Sequence, residues 1–124
     1  MINYYNPVNI IFGENTFSKF SKVLENKKYI IITHPEEFFN QYTNQLLQSS
    51  NPPIKIFNQV LPNPDYLDLL NLINNFSCCD KKIDSIVAIG GGSVIDSAKV
   101  LAAFKSNKKL LINFVRGKKI SKID

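Results

Sequence analysis

Apolar residues along the chain fall into short blocks separated by polar, proline-containing or glycine-containing stretches. Lys28 to Thr33 carries the unbroken run Tyr29-Ile30-Ile31-Ile32. It lacks the in–out alternation of a half-exposed strand and predicts a strand buried on both faces, as in a parallel sheet. Ile54 to Phe57 and Asp84 to Ile89 read as further strands. Asn9 to Phe12, closed by Gly13, is a candidate first strand, and Leu110 to Val115 a candidate last one. Between these blocks the apolar spacing becomes helical. Thr16 is a candidate N-cap for a helix to about Glu25, with Phe17, Phe20, Val23 and Leu24 on one face. Pro35 is placed to open a second helix, carrying Phe38, Phe39, Tyr42, Leu46 and Leu47. Leu67, Leu70, Ile73 and Phe76 mark a third, and a fourth is predicted from about Val94 to Lys105. Asn51-Pro52-Pro53 breaks the chain, and Pro62-Asn63-Pro64 forms a rigid loop.

Strands alternate with helices, and no tight hairpin signal intervenes. The predicted fold is therefore α/β, a Rossmann-like parallel sheet flanked by helices. Such sheets bind ligands outside the carboxyl ends of their strands. Three features fall at that edge: Thr33-His34, Pro62-Asn63-Pro64 and the triplet Gly90-Gly91-Gly92.

Length and composition narrow the partners. A chain of 124 residues, 44% apolar, suits one domain with a proper core. The net charge is +5, much of it in Lys105, Lys108, Lys109, Arg116, Lys118, Lys119 and Lys122. Such a run is either a solvated tail or an attraction for an anion. Only Phe104 and Phe114 are interleaved with it, too few for a stacking surface, so no nucleic-acid partner is expected. Cys78 and Cys79 are adjacent and have no other cysteine to pair with. They read as reduced thiols in a cytoplasmic protein, and no cluster has metal-ligand spacing. The N-terminus has no secretory pattern, and no apolar run approaches the roughly 20 residues of a membrane span, so no membrane is expected.

The glycine triplet carries the chemistry. Three of the five glycines follow a strand and open a helix. Without a Cβ the backbone turns sharply and admits a ligand closely. The helix then presents its free N–H groups and the positive end of its dipole, for which a phosphate or pyrophosphate is the natural occupant. Ser93 is placed to cap the helix or donate to a phosphate oxygen. Taken alone, Gly-Gly-Gly-Ser after a strand also fits a plain tight turn.

The longer string Gly90-Gly91-Gly92-Ser93-Val94-Ile95-Asp96-Ser97-Ala98-Lys99 resembles the GGGSxxDxAK signature of the iron-containing (group III) alcohol dehydrogenases. Asn6-Pro7 through Phe12-Gly13 resembles that family's NPxxIxFG opening, and Leu61-Pro62-Asn63-Pro64 its PNP loop. The three motifs occur in the family's order and extend to about Phe104. The resemblance implies an NAD- or NADP-dependent oxidoreductase that interconverts a small alcohol and its aldehyde or ketone. It implies a fold shared with 3-dehydroquinate synthase, and that enzyme and glycerol dehydrogenase are the alternative relatives. A non-catalytic nucleotide-binding module is the alternative outside the enzymes. By the resemblance, Gly91, Gly92 and Ser93 hold the cofactor pyrophosphate, Asp96 sits near it in the first helical turn, and Asn63 lies by the ribose and nicotinamide. Lys99 shares a helix face with Asp96, so a plain ion pair is an equal reading. Asn63 is equally a turn residue between two prolines.

Two departures from the family matter. Many relatives have Thr-Asp where this chain has Thr33-His34. A carboxylate there binds the ribose and repels a 2′-phosphate. Histidine does not repel it, so the pair predicts that NADPH is tolerated or preferred; the plainer alternative is a loop residue before Pro35. Second, the family's metal, iron in the type case, is bound by an Asp and three His of a C-terminal helical domain. This chain has one histidine, His34. The expected organisation is thus a dinucleotide-binding domain over 1–105 and its truncated basic end over 106–124. The helical metal-binding domain is missing, no catalytic residue is assigned, and the chain alone is expected to be inactive. A homo-oligomer or a separate C-terminal fragment is the expected macromolecular partner.

Overall fold

The computed structural model describes residues 3, 8–77 and 83–104. The predicted strand at 110–115, the basic tail and the cysteine pair lie outside them.

Three parallel strands form the sheet: β1 (Tyr29–Thr33), β2 (Lys55–Phe57) and β3 (Ser85–Ile89), in the order β2-β1-β3. Ile31 stands opposite Ile56 on one side and Val87 on the other, and Thr33 opposite Ile89. Every residue of β1 is buried, which accounts for its uninterrupted apolar run: neighbours fill both edges and helices cover both faces. Against one face, Tyr29, Ile31, Val87 and Ile89 pack with Leu24 and with Leu46 of α2 (Asn40–Leu47). Against the other, Ile30, Ile32 and Phe57 pack with Ile73 of α3 (Tyr66–Ser77) and with Val94, Ala98 and Leu101 of α4 (Gly92–Phe104).

Polar contacts fix the ends of these elements. Asp65 and Asp68 exchange backbone N–H bonds at 3.0 and 2.9 Å ahead of α3, a reciprocal cap legible as Asp-x-x-Asp. Asn51 donates from Nδ2 to the carbonyls of Leu24 and Lys27, and its own carbonyl accepts from the buried Tyr29 hydroxyl at 2.8 Å. The Asn-Pro-Pro break is thus also a clasp on the turn that leads into β1.

Several expectations are corrected. Asn9–Phe12 forms no strand in the described structure; Ile10 is 82% and Phe12 96% exposed. A strand needs a ladder and a face to bury, and this run has neither among the described residues. The helix expected from Thr16 is a 3-10 turn over Thr16–Lys19 followed by one α turn, Phe20–Val23. Thr16 does not cap it: Asn15 holds the N-cap position, and Thr16 Oγ1 donates to Gly13 O. Pro35 stands outside its helix, which begins as a 3-10 turn at Glu37. Leu67 and Phe38 face outward, because the helices present Leu70, Ile73, Phe39 and Tyr42 to the core instead. Helix α4 starts at Gly92, two residues earlier than expected.

Candidate functional site

The strand order reverses direction between β1 and β3, since the chain leaves β1 for β2 on one side and returns to β3 on the other. At such a switch point the loops at the carboxyl ends diverge and leave a crevice. The loops that leave β1 and β3 here are Thr33-His34 and the glycine turn.

Gly90 makes the turn. Its φ is +152°, and a Cβ would stand 2.8 Å from Val94 Cγ2 and 3.2 Å from His34 Cδ2. No side chain fits, so the fold itself requires this glycine. Gly91 and Gly92 differ: a Cβ at either meets nothing within 4 Å. Packing does not dictate them, and what their missing side chains leave open is space in front of a helix end. The first helical bond runs from Ile95 N–H to Gly91 O at 3.1 Å. The N–H groups of Gly92, Ser93 and Val94 precede that ladder, where an anion is favoured.

The loop after β2 closes against this turn. Val60 N–H donates to Thr33 O at 3.3 Å, and Val60 O pairs with His34 Nδ1 at 2.7 Å. A carbonyl only accepts, so Nδ1 carries the proton. Three residues on, Asn63 adopts a left-handed φ of 49° and donates its backbone N–H to Ser93 Oγ at 3.0 Å. Of the two roles open to Ser93, capping is therefore set aside. It is the second residue of α4, and its hydroxyl takes the loop's N–H.

The structure thus brings His34, Asn63, Gly91, Gly92 and Ser93 to one edge. His34 is 9% exposed, its ring against Phe39 at 5.6 Å between centroids. Asp96 stands apart in the second turn of α4, because the helix starts early. It pairs with Lys99 at 3.6 Å, both side chains about three-quarters exposed, an arrangement of small energetic weight. Two residues that the sequence places at this edge take roles it did not assign to them. Gly90 does the folding work assigned to the triplet as a whole; its position directly after the strand was the available signal. Thr33 donates from Oγ1 to Ile89 O at 2.7 Å, buried, locking the ends of β1 and β3 together; a lone threonine carries no such signal.

A groove of about 450 Å³ lies between β2 and α3, lined by Lys55, Asn58, Leu61, Pro64, Asn71 and Ser97 among others. It adjoins the Asn63 loop but does not include the glycine turn. Among the described residues no group of three or more His, Cys, Asp or Glu is placed to hold a metal ion. No described helix is long and apolar enough to cross a membrane.

With this geometry in place, comparison with known proteins is direct. The family model of the iron-containing alcohol dehydrogenases matches residues 7–123, carrying the likeness beyond Phe104 into a stretch where the sequence reading placed no motif. Relatives include NADP-dependent alcohol dehydrogenase 3 of Entamoeba histolytica, 29% identical over 80% of this chain and 26% of its own length. The NADPH-dependent aldehyde reductase of Escherichia coli is 26% identical over 82% and 26%. The probable NADH-dependent butanol dehydrogenase 2 of Bacillus subtilis is 30% identical over 81% and 27%. The chain thus spans about a quarter of the relatives it matches. No solved structure is significantly similar. The chain belongs to the iron-containing alcohol dehydrogenase family.

Proposed function

We propose that this chain is the nicotinamide-dinucleotide-binding part of an oxidoreductase that interconverts a small alcohol and its aldehyde or ketone. The observation that carries the reading is the pair Gly91 and Gly92, open to 4 Å at the N-terminus of α4 and facing the switch point of a parallel sheet. Cofactor and turn fit in chemistry: pyrophosphate is an acceptor-only dianion, and the turn offers N–H donors and a helix dipole. Two of the three relatives above are named for NADP or NADPH, which agrees with a chain that has His34 and not a carboxylate directly after Thr33.

In this reading Gly92 and Ser93 N–H bind the pyrophosphate, while Gly91 and Gly92 admit it by having no side chain. Ser93 Oγ–H adds a donor. Asn63 lies at the ribose and nicotinamide end, Asp96 stands a turn further along α4, and His34 braces the loops while presenting no negative charge to a 2′-phosphate. When bound, the nicotinamide supplies or accepts the hydride, and the chain's own residues orient it. The family's metal does not fit the described residues. Turnover by this chain alone is not expected, since its metal ligands would come from elsewhere in the polypeptide or from another chain.

The test is a fluorescence titration of the full chain with NADH and NADPH. Saturable binding is expected, with NADPH at least as tight as NADH, and Gly91→Val or Gly92→Val is expected to abolish it. A Cβ at either glycine meets no protein atom within 4 Å, so in variants shown folded by circular dichroism that loss would report ligand space. A folded chain that binds neither cofactor would sink the reading.

A further inference from the structure

We infer that Asn63 serves the cofactor site through its backbone and not its carboxamide, as a positioning residue that sets the direction of the Ser93 hydroxyl proton. The inference rests on the reading above.

A serine hydroxyl has one O–H to donate and two lone pairs to accept with. Asn63 N–H occupies a lone pair of Ser93 Oγ at 3.0 Å. Two hydrogens on one oxygen keep apart, so the hydroxyl proton turns away from the loop. In this proposal the direction left to it is toward the space that Gly91 and Gly92 leave open. An acceptor-only ligand, such as a phosphoryl oxygen, meets a donor already aimed at it. Such preorganisation reduces the ordering cost of binding.

The loop is built to hold that N–H in place. The φ of 49° at Asn63 is a left-handed conformation that asparagine tolerates better than most residues. Pro62 and Pro64 flank it, stiffening the backbone and leaving Asn63 as the N–H donor among the three. At the loop's other end, Val60 is held on both its N–H and its carbonyl, by Thr33 and His34. Among the described residues, the hydrogen bond of Asn63 is the backbone one.

Backbone and side-chain roles predict opposite results for Asn63→Gly. Glycine keeps the N–H and prefers the left-handed geometry while deleting the carboxamide. The dissociation constant for NADPH, measured by fluorescence titration of the full chain, is expected to stay within about twofold of wild type. Asn63→Val opposes the left-handed φ and is expected to weaken binding about fivefold. Ser93→Ala removes the aimed donor and is expected to cost about tenfold. In the Ser93→Ala background, Asn63→Val should add less than about twofold, because its effect runs through the hydroxyl. A purely structural loop residue would instead give additive effects. Circular dichroism checks that each variant is folded, and amide exchange at residue 63 should quicken in Ser93→Ala. If Asn63→Gly weakens binding as much as Ser93→Ala, or if the double variant is additive, the positioning role is wrong while the cofactor site stands. A wild-type chain that binds neither cofactor overturns both.

Discussion

Two apolar runs of this chain resemble each other in sequence and share nothing in fate. Tyr29-Ile30-Ile31-Ile32 is wholly buried at the centre of the sheet, while Ile10-Ile11-Phe12 lies wholly exposed. The difference is in the surroundings. The central run has strands on both edges and helical layers on both faces. The other has no such cover among the described residues. Local β-propensity is therefore permission for a strand, and packing decides whether one forms.

The sharpest way to break the comparison is a matched pair of truncations. Ile31→Ala should destabilise the chain by about 2–5 kcal/mol in denaturant titration, since it opens a cavity between two layers. Ile11→Ala should stay within about 0.5 kcal/mol. Equal losses would mean that the exposed run is packed in solution. The same logic applies inside the glycine turn. Gly90→Ala, with a Cβ 2.8 Å from Val94, should cost about 1–3 kcal/mol, whereas Gly91→Ala should leave the melting temperature unchanged.

Tyr29 sharpens the contrast through pH. Burial pushes its phenol above the ordinary value of 10.0, an effect that a contact with Ser49 opposes in part. The folded chain then keeps the proton when the unfolded chain has begun to release it. This contribution is complete below about pH 10 and is lost as pH rises beyond it. Tyr29→Phe should flatten that alkaline decline in thermal melts, at a cost of about 1 kcal/mol for the lost bond to Asn51 O. The smallest effect belongs to the exposed pair Asp96 and Lys99: Asp96→Asn should change stability by under about 0.5 kcal/mol, while a marked loss of cofactor affinity would give Asp96 the direct role its position in the motif suggests.

Much of this was legible in the sequence where one physical cause dominated. The isoleucine run announced a doubly covered strand, and the glycine triplet after Ile89 announced a strand–turn–helix. Neither the helix start at Gly92 nor the weak helix after Asn15 was readable, because capping depends on backbone angles that residue types only bias. The pairing of Asn63 with Ser93 was out of reach for a further reason. It joins residues thirty apart through a backbone donor, and every residue but proline has one. The motif named both partners but not their bond.

The Thr33 bond to Ile89 spans fifty-six positions, and contacts so distant in sequence are expected to be late events in folding. His34, the Asn63 loop and the glycine turn meet only after β1 has accepted a strand that follows two intervening helices. Closure over such a separation is slow and comes after local helices form. The proposed dinucleotide site would thus be among the last parts of the fold to form. A ligand that binds it engages only chains whose sheet is complete and raises their population by mass action, so cofactor supply would act as a brake on unfolding.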